Sequence, residues 1–181
     1  MFRLMVMIVM LGILSGCAGI QIASETSRTS SGENIHLFAG IRIERWGKLR
    51  FSGILAVASK EERLVFALLD GTGVTLLEGP LPGEGEQPEL SGVLRDSDLA
   101  YYLAIAFSRI FLQEPPNEPC SRIFLQSLCL DTEGGRRMAK RFKVGPFTRW
   151  SVTYSDAGTT EEIVYSEPWA GVRITINEKA M

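Results

Sequence analysis

The chain has a single histidine, His36, in 181 residues, and that scarcity removes much familiar chemistry. Catalysis of the Ser/His/Asp kind needs a base beside its nucleophile. His36 falls on the polar side of the first alternating segment, and no Gly-x-Ser-x-Gly elbow accompanies it. His, Cys, Asp and Glu do not cluster at metal-ligand spacing. Gly71-Thr72-Gly73 lacks the lysine and the spacing of a phosphate-binding loop, so it reads as a hairpin turn. The acidic residues are scattered, and no carboxylate pair is marked by its neighbours. These absences predict a protein that is not an enzyme and uses no cofactor or metal. An excess of basic charge is lacking too: 19 Lys and Arg against 21 Asp and Glu leave a net −2. No nucleic-acid footprint follows from that balance.

Long apolar runs are also missing, apart from Leu4 to Leu14 near the start. That run is too short to span a bilayer, which takes about 20 apolar residues. It follows Met1-Phe2-Arg3, with one positive charge, and precedes the small residues Ser15 and Gly16 and then Cys17. This order predicts a secretory signal, against the alternative of a buried N-terminal helix. Leu14-Ser15-Gly16-Cys17 further resembles the lipobox of bacterial lipoproteins. The resemblance implies that residues 1–16 are cut away, that the Cys17 thiol carries diacylglycerol, and that the new amine is acylated. Ala18 stands where an aspartate usually retains such proteins at the inner membrane. That implies an outer-membrane location with a lipid anchor on the periplasmic face. Residues 17–34, rich in Ser and Thr from Ile20 to Glu33, read as a lipidated tether. Residues 35–181 are then one domain.

Cysteine is sparse, at three residues. With Cys17 assigned to lipid, Cys120 and Cys129 are left as an even pair in an oxidising compartment. They form either a disulfide or two buried thiols.

What the body does contain is alternation. Ile35, Leu37, Ala39, Ile41 and Ile43 share one face; Leu49, Phe51, Leu55 and Val57 repeat the pattern. Leu64 to Leu69 and Val74 to Leu77 follow, so the first half predicts a four-strand antiparallel meander. Gly79 to Pro88, dense in Pro, Gly and Glu, predicts an irregular loop. Asp96 or Ser97 can cap a helix through Leu99, Leu103, Ala106, Phe107 and Ile110, closed by Pro115 and Pro116. Its opposite side is apolar as well, at Ile105 and Phe111, so the helix is expected to be largely buried or to lie in a lipid-like cavity. The segment around Cys120 to Leu130 fits a short helix or a strand. Arg136 to Val144 predicts a basic strand, whose charges suit an exposed edge. Phe147 to Tyr154, Glu162 to Tyr165 and Val172 to Ile176 complete the strands. The expected class is α+β: a strongly curved antiparallel sheet, its apolar face covered by the helical middle.

Aromatics make a further group, with Trp46, Phe51, Phe66, Trp150 and Tyr154 on or beside strand faces. Such residues form an ordinary core, or they line an apolar cleft; the pattern is the same for both. The order of lipobox, Ser/Thr tether, curved strands, apolar helix and closing strands is similar to the LolA/LolB-type lipoprotein carriers. The closing stretch from Trp150-Ser151-Val152-Thr153-Tyr154 to Val172-Arg173-Ile174-Thr175-Ile176 carries most of that likeness. The resemblance implies a half-open β-barrel with an apolar helical lid, holding a lipid or the acyl chains of another lipoprotein. The cavity candidates are Phe51, Leu55, Phe66, Leu68, Leu103, Phe107, Trp150 and Tyr154. The tight polar turn at Asp70 to Gly73 departs from the exposed apolar loop that LolB-type receptors carry there. The competing expectation is an envelope assembly lipoprotein with a filled core. It would dock an envelope protein through Gly79–Pro88 or through the basic run Arg136–Arg141.

Overall fold

A computed structural model describes residues 37–179, apart from residue 118 and residues 157–159. The leader 1–16, Cys17, the tether 17–34, Ile35 and His36 lie outside the described residues. Ten strands form one antiparallel sheet: β1 Leu37–Arg45, β2 Lys48–Lys60, β3 Arg63–Leu69, β4 Thr75–Pro80 and β5 Cys120–Ile123 make the first five. β6 Gln126–Glu133, β7 Arg136–Val144, β8 Phe147–Asp156, β9 Thr160–Glu167 and β10 Val172–Lys179 follow. The spatial order is β4-β3-β2-β1-β10-β9-β8-β7-β6-β5, an open sheet with β4 and β5 as its edges. β1 and β10 join two meanders at the middle, in register from Gly40↔Asn177 to Arg45↔Val172.

That topology dictates where the helix lies. The chain leaves β4 at one edge and must enter β5 at the other, so the connection has to cross a face of the sheet. α1 (Asp98–Phe111) makes the crossing. Ser97 caps it: the hydroxyl accepts from the Ala100 N–H at 3.1 Å, filling one of the orphan donors at a helix start. The helix buries Ala100, Leu103, Ala104, Ala106, Phe107 and Ile110 against the inward faces of the strands.

The sheet is curved around this helix. Flat, ten strands would spread over about 43 Å at ~4.8 Å per step, while a helix is roughly 10 Å across. Yet consecutive residues of α1 reach both halves. The Phe107 ring meets Phe66 of β3 with centroids 5.1 Å apart. The Ser108 hydroxyl donates to the Pro82 carbonyl, just past β4, at 2.6 Å. Arg109 donates to the Tyr165 hydroxyl of β9 at 2.7 Å, and Lys140 of β7 donates to the Ile110 carbonyl at 3.1 Å. Strands six places apart in the sheet touch one turn of helix only if the sheet bends.

Several expectations change. β7 is not an edge; β6 and β8 pair with it on either side. Three of its cations are taken up by neighbours: Arg137 binds Glu114 at 2.9 Å and Arg141 binds Asp131 at 2.8 Å, while Lys140 is buried. Gly79 and Pro80 continue β4 rather than opening the loop. The segment from Cys120 is a β-hairpin, with Cys120 opposite Cys129. Leu99 is exposed, because the capped helix turns Ala100 and Leu103 inward instead. Trp46 is no part of a strand face: it sits at the tip of the β1–β2 hairpin, largely exposed.

Candidate functional site

The seam between α1 and the sheet holds the sequence-derived cavity candidates, and it is packed. Leu55, Phe66, Leu68, Leu103, Phe107 and Trp150 are all buried in one cluster, with Phe51 and Tyr154 partly buried at its margin. Alternation decides this: Leu55 and Val57 of β2 point the same way as Phe66 and Leu68 of β3, onto α1. Two open surface hollows lie elsewhere. One, about 360 Å³, is bounded by Arg63, Pro80, Leu81, Pro82 and Glu86. The other, about 410 Å³, is bounded by Val144, Phe147, Arg149 and Trp169. Arg63 and Glu86 close the first with an ion pair of 3.3 Å, and the Glu86 carboxylate also accepts from the Gly83 N–H at 3.0 Å. The loop after β4 is thus folded back on β3.

Two polar clamps fasten α1. In the first, Glu167 of β9 takes Tyr102 at 2.8 Å, Tyr165 at 2.8 Å and Arg109 at 3.0 Å on one carboxylate oxygen. Burial, with the neighbouring Tyr165 and Glu167 oxygens, pushes the Tyr102 phenol up; burial and the Glu167 charge do the same to Tyr165, against the pull of Arg109. Burial opposes the Arg109 charge, but the facing Tyr165 and Glu167 oxygens outweigh it and raise that pKa. The Arg109 guanidinium also lies 5.8 Å from the Trp150 ring centroid. The phenols therefore stay protonated and donate, the carboxylate accepts, and none is a nucleophile in waiting.

In the second clamp Lys140 ends the helix. Its ammonium donates to the Arg109, Ile110 and Gln113 carbonyls at 3.1, 3.1 and 2.7 Å, with the Glu114 carboxylate at 3.4 Å. The Arg109 and Ile110 carbonyls belong to the group that a helix C-terminus leaves without internal partners, and Gln113 lies just past the C-cap Leu112. Burial pushes the Lys140 pKa down, and Glu114 pulls it back. The sequence offered no sign of either clamp beyond the residue types.

Cys120 and Cys129 are joined by a disulfide, their Cα atoms 4.1 Å apart as a directly opposed pair. This links the edge strand β5 to β6. Replacing both by serine should cost at most about 2.5 kcal/mol, the chain-entropy value for so short a loop. Hydrogen exchange should quicken mainly in β5 and little in β1–β3; uniform loss of protection would contradict that local role.

The two ends of the sheet differ. At one end lie the turns β1–β2, β3–β4, β5–β6, β7–β8 and β9–β10, because every odd strand of the meanders runs towards it. Exposed there are Trp46, Phe124, Leu125, Phe147 and Trp169. At the opposite end, the β2–β3 turn is Glu61-Glu62 and the β6–β7 turn is Gly134-Gly135 beside Glu133. Among the described residues no group of three or more His, Cys, Asp or Glu is placed to hold a metal, and no helix is long and apolar enough to cross a membrane. Compared with known proteins, the chain matches no family model and no curated sequence.

Proposed function

We propose that the chain is a lipid-anchored envelope lipoprotein, held through Cys17 at the periplasmic face of the outer membrane. It works without catalysis, through its surface, and its core is filled. The observation that carries this is the seam: the residues that would line a lipid cavity are buried against α1, which two polar clamps fix in place. Opening a cavity would expose that apolar surface and break the Glu167 and Lys140 networks, so cargo would have to repay both.

Carriage of a lipid or of lipoprotein acyl chains, as the LolA/LolB likeness implies, is the second reading. In its favour, the inward faces of β1 to β4 and β8 to β10 make one continuous apolar surface under a single helix, the outline of a half-open barrel with a lid. The two readings part on a fluorescent fatty acid titrated into the purified chain, with mass spectrometry of co-purified lipid. A filled core predicts no saturable uptake and no lipid beyond that on Cys17. Stoichiometric uptake, displaced by unlabelled fatty acid, would transfer the assignment to carriage.

A further inference from the structure

We propose that the turn-bearing end of the sheet is a membrane-contact rim that seats on an anionic phospholipid surface. The proposal deepens the reading of a surface-acting lipoprotein, but it stands on different residues from the anchor.

Local physics argues against the residues found there. Trp46 and Phe124 occupy hairpin tips with φ of 53° each. Glycine or asparagine is the favoured residue at such left-handed positions, since a Cβ there meets the following carbonyl. Both aromatics are also turned to solvent, Phe124 at 92 % exposure. Backbone and solvation thus both disfavour an aromatic, and it appears at two separate turns of the same end. Glu61 and Glu62 at the opposite end share the left-handed backbone, with φ of 49° and 67°, so it is the exposed aromatic rings that set this end apart. The Trp46 ring lies over Gly171, where a Cβ would collide with it, and the Trp46 backbone N–H donates to the Gly171 carbonyl at 2.6 Å. Trp169 and Phe147 pack edge to face at 5.9 Å, and the Trp169 indole donates to the Thr148 carbonyl at 3.2 Å.

Charge selects the partner. Arg45, Lys48, Arg122, Lys143, Arg149 and Arg173 lie within three residues of these turns and are exposed. Of the carboxylates near them, Glu44 is paired with Arg42 at 2.8 Å and Glu167 with Arg109 in the clamp; Asp70, which accepts only from neutral Thr72 and Val74 groups, keeps its charge, one carboxylate against six exposed cations. Arg149 lies 5.9 Å from the Trp169 ring centroid, beside the hollow of about 410 Å³. Indoles and phenyl rings interleaved with Arg and Lys match a headgroup layer, where rings enter the interface and cations meet phosphate. Chain length permits the pose. β1 begins at the far, acidic end, and the twenty residues from Cys17 to residue 36 can span up to about 70 Å. β2, the longest strand, is about 44 Å. A lipid on Cys17 therefore lets the rim fold down onto the same bilayer.

The test uses the three tryptophans of the full lipidated chain in vesicles of brominated phosphatidylcholine, with or without one-third phosphatidylglycerol. With the anionic lipid, Trp46 and Trp169 should be quenched by bromine and shielded from aqueous iodide, an effect that high salt reverses. Buried Trp150 should respond to neither. W46N and F124N should each lower binding of unlipidated chain to the anionic vesicles about tenfold, from the lost apolar contact. The F124N melting temperature should hold or rise, because that ring is 92 % exposed; a fall there would mark the aromatic as merely structural and overturn the proposal. Rim tryptophans that stay open to iodide in anionic vesicles also overturn it, as does shielding that appears only when envelope protein is added. Protein purified from membranes that carries no acyl group by mass spectrometry, yet shows the quenching, would sink the Cys17 anchor and keep the rim.

Discussion

Lys140→Met is expected to lower stability by about 3–5 kcal/mol, because it leaves main-chain acceptors at the helix end unsatisfied at ~1–3 kcal/mol each, while Glu114 keeps Arg137. For a domain of this size that is a fall in melting temperature of roughly 10–15 °C. The reasoning follows the carbonyls. Ser108 O is taken by the Leu112 and Gln113 N–H groups at 2.8 and 3.0 Å. The Arg109 and Gln113 carbonyls have the Lys140 ammonium, and Ile110 O has it with the Tyr154 hydroxyl at 3.4 Å. Lys140 is 0 % exposed, so water does not replace it freely. A buried ion pair can often be exchanged for apolar side chains at no loss. Here most acceptors are main chain, and no second substitution removes them. Adding E114Q to the variant should therefore restore little. A melting temperature within about 3 °C of the parent would mean that the helix end has another partner.

Cys17→Ser is expected to abolish firm membrane attachment. Each buried methylene is worth ~0.8 kcal/mol, and two or more acyl chains hold a protein where one holds it only marginally. Parent protein should sediment with outer membranes through a high-salt wash, which strips contact made by the charged rim alone. Mass spectrometry should find its N-terminus at Cys17 with acyl groups attached. The serine variant should show neither the acyl mass nor salt-resistant sedimentation. Equal attachment of the variant after the wash would remove the anchor from the account of this protein.

The prediction on the disulfide has a smaller scale for a reason visible in the topology. Cys129 pairs across to β5 on one side and to Arg141 of β7 on the other. The bridge therefore secures only the outermost strand. The Glu167 and Lys140 clamps tie the helix to strands near the middle of the second meander, which is why their loss should be felt by the whole domain.

Sequence alone determined the local facts. Alternation from Leu37 to Ile43 and from Val172 to Ile176 identified strands and their inward faces, because side chains on a strand alternate whatever the strand pairs with. Asp96-Ser97 before an apolar repeat placed the helix start to within a residue, since a cap acts within one turn, and the structure chose Ser97. Tertiary structure alone decided what depends on neighbours. A run of cations cannot say whether its strand is an edge, and β7 proved interior, with Arg137, Arg141 and Lys140 engaged by Glu114, Asp131 and the end of α1. Nor does any spacing connect Tyr102 and Arg109 with Glu167, residues joined only because the chain crosses from β4 to β5 over a bent sheet. The aromatic end has the same origin: Trp46, Phe124, Phe147 and Trp169 are far apart in sequence, and antiparallel pairing sets their turns on one side. Periodicity reports which residues share a face; register and connectivity decide what that face meets.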